Sequence, residues 1–232
     1  MVLPTKSIER ALITRGVKWI AAVDEVGRGS WAGPVVAAAV LFEAQFFSNT
    51  AENKRVGKST LVISHRSVRN YKGFGLAFLR DSKLLTPQLR ESFFMRLTGL
   101  AEVQWAVASV KPEIIDRINI HRATFRAMAG AIKKLPQRPD IVLVDGIWPI
   151  AGCDIAQECF PRGDRRIFSI AAASIIAKVT RDRMMARLAK KYPEYGFEKH
   201  KGYGTKLHQA QLASFGPSPV HRRSYRPVAI LA

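Results

Sequence analysis

An α/β fold is predicted by three features of the chain: apolar strand-like runs separated by helix-like stretches, a glycine-rich turn between the first two runs, and a long helical stretch of small residues in the second half. The first run, over residues 17–23, ends at two adjacent acids, Asp24 and Glu25, and meets the turn Gly27-Arg28-Gly29. Strand side chains alternate in direction, so the two acids converge only if the backbone bends, which Gly27 and Gly29 permit. The second run, PVVAAAVLF over 34–42, reads as an antiparallel neighbour of the first. From 44 to 80 the chain turns basic, with Lys54, Arg55, Lys58, Arg66, Arg69, Lys72 and Arg80 against Glu52, and its weak periodicity marks an insertion or arm. Thr86 and Pro87 supply a cap and a first-turn proline for a helix to about residue 97. A strand over 103–110 follows, then one or two helices over 112–135. A short buried strand at 141–144 closes on Asp145-Gly146, and a further strand spans 153–160. The long helix, about 167–190, packs closely through Ala171, Ala172, Ala173, Ser174 and Ala177, and its basic end suits the helix dipole. A last helix starts after Thr205 and stops at Gly216-Pro217.

Thirty-seven Lys and Arg against 18 Asp and Glu leave a net charge of +19 over 232 residues, a field that attracts polyanions, nucleic acid first among them. Cys153 and Cys159, the only cysteines, offer neither a disulfide framework nor a zinc ligand set, so a reducing compartment is expected. No apolar run reaches the roughly 18 residues that span a bilayer. A soluble, cytoplasmic protein without membrane contact is the expectation.

Two further acids occupy strand-end or turn positions. Asp145 closes the run Ile-Val-Leu-Val, and Asp164 precedes the long helix in Arg-Gly-Asp-Arg. Hard divalent cations take oxygen ligands, and a two-metal phosphodiesterase, with metals about 3.5–4 Å apart, needs several carboxylates shared between them. Taken singly, Asp145-Gly146 also suits a plain turn and Asp164 a helix cap. Asp182, inside the long helix beside Arg181, reads as a salt-bridging residue.

Five motifs then occur in order: AVDEVGRG (22–29), DSKLLT (81–86), VDG (144–146), GD (163–164) with AASIIAKVTRD (172–182), and HKGYGT (200–205), followed by HRRSYRP (221–227). In these the chain resembles the ribonuclease HII family, the type 2 RNases H, over nearly its whole length. The resemblance implies an RNase H-like fold with a five-stranded mixed sheet flanked by helices and a helical C-terminal part, divided as a catalytic domain over 1–190 and a substrate-binding segment over 191–232. It implies hydrolysis of RNA in RNA–DNA hybrids and incision 5′ to a single ribonucleotide embedded in duplex DNA, leaving a 5′-phosphate and a 3′-hydroxyl. The family's four metal-binding acids fall on Asp24, Glu25, Asp145 and Asp164, which would hold two Mg²⁺ or Mn²⁺ ions, one activating water and one stabilising the departing 3′ oxygen.

The ribose 2′-hydroxyl separates RNA from DNA. By resemblance it is read by Gly27, Arg28 and Gly29, while Tyr203 packs under the next deoxyribose; from the residues alone, Tyr203 also suits a half-buried packing role. Lys83, Lys201 and Lys206 are candidate phosphate contacts, with Ser82 and Thr205 as hydroxyl donors, although Lys206 also suits a solvated face. Arg222 and Arg223 either reach phosphates or are solvated. The stretch before Asp81 is about two dozen residues longer than the family pattern, and Ser30-Trp31 is an unusual continuation of the turn. The 17 or so residues before the first strand leave no room for the extra N-terminal domain of type HIII enzymes, and no clamp-binding peptide stands out at the C-terminus. A monomer acting in DNA replication and repair is the expectation. The competing readings are a non-catalytic basic nucleic-acid-binding module and another RNase H-like nuclease, such as a resolvase.

Overall fold

The computed structural model describes residues 3–48, 76, 79 and 81–231. The basic stretch between 44 and 80 therefore lies almost wholly outside the described residues. Of that stretch, a short helix α2 (Gln45–Ser48) is described, with Phe47 buried.

Five strands form one mixed sheet in the order β3-β2-β1-β4-β5. β1 (Trp19–Val26) runs antiparallel to β2 (Val35–Glu43), which runs antiparallel to β3 (Val103–Val110). β1 also lies parallel to β4 (Ile141–Asp145), and β4 to β5 (Ala156–Phe160). The predicted antiparallel pair is thus present, and the expected strand over 153–160 forms only in its second half. β1 and β2 read as near-continuous apolar runs because both faces of the central sheet are covered.

The alternation of strand residues sorts the core into two layers. Ile20, Ala22, Val26, Val36, Ala38 and Leu143 pack under α5 (Phe168–Lys191), with α1 (Ser7–Thr14) and α3 (Pro87–Gly99) on the same side. Ala21, Val23, Ala37, Val142 and Val144 pack under α4 (Pro112–Lys133). The run of small residues in α5 lets that helix lie close on the sheet: Ala171, Ala172, Ala173 and Ala177 are all fully buried. α4 carries a kink at Asn119 (φ 64°, ψ 165°). Its side-chain Oδ1 accepts from Arg122 N at 3.0 Å, capping the longer second part, so the expected one or two helices are two helical segments of α4 joined at this kink. α1 went unpredicted although Ile8, Leu12 and Ile13 turn onto the core; it is only 8 residues long and its buried side includes Glu9.

The C-terminal part adds α6 (Phe197–His200), α7 (Lys206–Phe215) and α8 (Arg226–Ala229). A third core, built on Ala32, Met185, Tyr195, Phe197, Leu212 and Val228, joins these helices to the turn after β1 and to the end of α5. No helix among the described residues is long and apolar enough to cross a membrane.

Candidate active site

Asp24 and Glu25 lie within the regular β1–β2 ladder, opposite Ala38 and Ala37. The expected bend begins after them, at Gly27 (φ 92°). The acids therefore point to opposite faces of the sheet at its end: Asp24, in phase with Ala22 and Val26, toward α5, and Glu25, in phase with Ala21 and Val23, toward α4. Asp145 stands at the end of β4, one residue past the last β1–β4 pair, Val23 with Val144. Asp164 sits in the 3₁₀ turn Gly163–Arg165 and does not cap α5, whose N-cap residue is Ile167. Gly163 N donates to Asp145 Oδ1 at 2.7 Å, tying the last two acids together. Parallel pairing of β1 with β4 is what brings residues so distant in sequence to the same end of the sheet.

The group is crowded with like charge. Burial pushes the Asp24 carboxyl well above the usual range, and the charges of Glu25, Asp145 and Asp164 add to that while a hydrogen bond from Ser174 opposes it. Burial also raises Glu25, against the pull of Arg28, whose Nη1 is 3.4 Å from Glu25 Oε1. Burial and the charges of Asp81 and Asp145 bring Asp164 to about 6. Lys83 has its Nζ 3.9 Å from Asp164 Oδ2. Desolvation lowers its pKa, but the carboxylates Asp24 and Asp164 outweigh that and raise it on balance. Carboxylate oxygens alone, held in a low-dielectric pocket and repelling one another, suit a hard divalent cation by donor type and by charge. Among the described residues no three His, Cys, Asp or Glu side chains are already gathered as a ligand set, which accords with Glu25 and Asp145 each turned to an internal partner.

The turn that aims Lys83 is itself braced. Asp81, fully buried, accepts from Lys83 N at 2.8 Å and pairs with Arg165 Nε at 3.1 Å. Arg90 donates to the carbonyls of Ser82 and Leu85, both at 2.8 Å. Ser82 is buried, with Oγ 3.0 Å from Ser174 Oγ, so its hydroxyl serves the interior and does not face a phosphate. Asp182 pairs with Lys178 at 2.7 Å and Arg90 at 3.5 Å, the salt-bridging role expected of it.

The turn after β1 and the loop 201–205 are joined by two fully buried arginines. Arg181 donates to the carbonyls of Pro34 (2.9 Å), Lys201 (2.9 Å) and Ala32 (3.1 Å), and its guanidinium lies 5.5 Å from the Tyr203 ring centre. Arg222 donates to Gly33 O through Nε (3.1 Å) and Nη2 (3.0 Å) and to Arg28 O through Nη1 (2.8 Å). Tyr225 OH donates to the same Arg28 carbonyl at 2.5 Å. Arg222 therefore neither contacts phosphate nor is solvated: it clamps backbone. Neighbouring Arg223, exposed, donates its N–H to Asp116 Oδ2 at 3.0 Å. A Cβ on Gly27 would stand 2.2 Å from Arg181 Nε, so glycine is required there by the clamp as well as by its φ.

Across this junction Trp31 N donates to Gly202 O at 2.8 Å, and Ser30 bridges Tyr203. The unusual Trp31 has a place: its ring lies where a Cβ on Gly204 would be, 2.1 Å from Cζ2, and stands 5.6 Å from the His208 ring. Thr205 Oγ1 caps α7 by accepting from His208 N at 3.3 Å, which leaves its proton to donate. Lys201 turns its Nζ to Glu198 O at 2.8 Å, and Lys206 is exposed at the start of α7. Beneath the loop, His208 and His221 share a 3.0 Å Nε2–Nε2 hydrogen bond, and His200 stacks on His208 at 4.3 Å. Burial first, then neighbouring imidazoles, lowers His208 and His221 to about 4 each.

Sequence reasoning passed over Ser174, Arg181 and the structural role of Arg222. A signal existed for the first two: Ser174, Ala177, Arg181 and Met185 recur at helical spacing on the buried face of α5, and a cation in such a stripe must meet acceptors inside.

Residues 65–228 match the family model described as ribonuclease HII. The ribonuclease HII of Roseiflexus castenholzii is 44% identical over 99% of this chain and 91% of its own length. That of Chlorobium phaeobacteroides is 44% identical over 89% of each. Among solved structures, the fold is similar to ribonuclease H2 from Pyrococcus horikoshii (TM-score 0.68, 24% identity, 92% of this chain and 96% of that one). It is also similar to Bst-RNase HIII in complex with Mn²⁺ (TM-score 0.61, 16% identity, 97% and 68%).

Proposed function

The chain belongs to the ribonuclease HII family, an endoribonuclease acting on RNA–DNA hybrids, and from that premise we propose how it cuts. It incises 5′ to a ribonucleotide, including a single one in duplex DNA, and leaves a 5′-phosphate and a 3′-hydroxyl. Asp24, Glu25, Asp145 and Asp164 are the acids that hold Mg²⁺ or Mn²⁺. The observation that carries this reading is that Asp24, at the end of the central strand, is destabilised as a carboxylate by the charges of Glu25, Asp145 and Asp164 in a chain of net charge +19. Such acids weaken phosphate binding unless cations offset them. Bound there, divalent ions would supply an activated water and charge stabilisation of the leaving oxygen.

The chain's own residues do the rest. Lys83, aimed by Asp81 and its own backbone N–H, meets a non-bridging phosphate oxygen. Because Arg222 and Tyr225 occupy the Arg28 carbonyl, the N–H groups of the Gly27–Gly29 turn are left to meet the 2′-hydroxyl oxygen. Tyr203, tied to Ser30, packs against the following sugar, where a second 2′-hydroxyl would intrude. Residues 191–232 form the substrate-binding segment. All these groups come from one chain, so a monomer suffices, and two free cysteines suit a cytoplasmic setting. The test is cleavage of a labelled DNA duplex holding one ribonucleotide, with Mg²⁺, Mn²⁺ or EDTA, mapped at nucleotide resolution. Metal-dependent incision 5′ to the ribose, lost in Asp24→Asn, is the expected result; tight binding with no cutting under any metal would overturn it.

A further inference from the structure

On the α4 side of the acids lies a pocket of about 440 Å³ whose lining includes Glu25 and Asp145 together with Arg28, Arg162, Trp148 and Ile147. Tyr203 does not line it. Ile147 and Trp148 follow Asp145-Gly146 directly and are 63% and 60% exposed. An adjacent pair of large apolar side chains held in water beside a charged site adds little to the fold. The loop that carries them is fixed at both ends. Gly146 N donates to Phe160 O at 3.1 Å; Ile150, itself buried, exchanges hydrogen bonds with the Gln157 side chain at 2.7 and 3.2 Å. The pair is therefore a preorganised platform, and binding to it costs little ordering entropy. His121 and Phe125 also line it, meeting edge-on at 4.6 Å. Arg162, exposed and in the left-handed region (φ 55°), makes no ion pair among the described residues.

A lining of two acids, an exposed apolar pair and two arginines matches a nucleotide adjoining the reacting phosphate. The polar end takes the phosphodiester and the apolar face takes the sugar and base edge. We propose that this pocket is a second nucleotide subsite. It holds the deoxynucleotide immediately 5′ to the cut, with Trp148 and Ile147 against its sugar and base edge and Arg162 against its outer phosphate. The assignment to the 5′ side rests on the function proposed above, which gives the 3′ side to the Gly27–Gly29 turn and Tyr203.

The experiment compares wild type, Trp148→Ala and Trp148→Phe on a DNA duplex with one ribonucleotide. A matched duplex has the 5′-adjacent deoxynucleoside replaced by a propanediol linker, and a third has the linker on the 3′ side. Because Trp148 is exposed, all three proteins should melt at the same temperature. Trp148→Ala is expected to raise KM about tenfold with kcat within about twofold, the scale of one aromatic–nucleoside contact. Trp148→Phe should restore most of the loss. The loss should vanish on the 5′-linker duplex and persist on the 3′-linker duplex. Arg162→Gln should reduce the salt dependence of binding by about one phosphate contact. An unchanged KM in Trp148→Ala, or a loss that persists on the 5′-linker duplex, overturns the subsite while wild-type incision 5′ to the ribose leaves the function standing. Failure of the wild type to incise would instead remove the function on which the 5′ assignment rests.

Discussion

The acid cluster and the clamped turn sit side by side and are built on opposite principles. The four carboxylates come from β1, β4 and a 3₁₀ turn, repel one another and have few internal donors. The carbonyls of Arg28, Ala32 and Gly33 in the turn and of Lys201 in the loop accept from two buried guanidiniums and a tyrosine. One region holds unspent charge for something to come; the other has spent nearly every hydrogen bond on fixing its own shape. On the function proposed above, reactivity belongs to a site completed by its ligand, and discrimination of one hydroxyl to a frame held by its own hydrogen bonds.

The largest effect should come from the acids. Asp24→Asn is expected to lower single-turnover cleavage by at least about 10³-fold, and in EDTA to raise stability by roughly 1–3 kcal/mol because it relieves repulsion while keeping the oxygen that accepts Glu25 N. Thermal unfolding with and without metal checks both halves; a variant less stable than wild type in EDTA would mean the cluster is not strained. Next in size, Arg222→Met leaves the carbonyls of Gly33 and Arg28 short of donors and should cost about 3 kcal/mol, with KM for a single-ribonucleotide duplex rising more than KM for a long hybrid. Equal loss on both substrates would remove the clamp from discrimination.

A pH titration sharpens the comparison further. His208 and His221 are lowered to about 4 in the folded chain, so between 6.5 and 4 the unfolded chain binds more protons. Their contribution is whole above pH 6.5 and falls as the pH falls toward 4, by about 2 kcal/mol for each imidazole, about 4 kcal/mol for the two, at pH 5. Denaturant unfolding at pH 7 and 5 measures it, and a His221→Asn variant whose stability falls as steeply as wild type would assign the loss elsewhere. The smallest effect is Tyr203→Ala, which should reduce single-ribonucleotide incision several-fold more than cleavage of long hybrids, within the range of one aromatic contact. Parallel initial rates on the two substrates decide it.

Most of the sheet was legible because β1 and β2 are long apolar runs, β1 running into Gly27 and β4 ending at Asp145 before Gly146. Ala21–Val26 pairing beside Val36–Leu41 follows from that pattern alone. β5 was legible only in its second half, since Cys153 and Asp154 fall in the loop before the strand. The four acids were identifiable by position and by resemblance. That Asp24 and Glu25 face opposite sides was not, because the expected bend was placed at the pair when the ladder carries them past it. The clamps were illegible for another reason: an arginine near a basic terminus reads as solvated, and only the tertiary fold reveals that Arg222 meets carbonyls 189 and 194 positions earlier in the chain.

That separation has a consequence in time. A chain emerging from the ribosome has made Asp24, Glu25, Asp145 and Asp164 before it has made Arg181 and long before Arg222. Domains assemble as their residues become available. The sheet with its acids can therefore close once α5 has been made, while the turn after β1 still lacks the Arg222 guanidinium that holds its carbonyls.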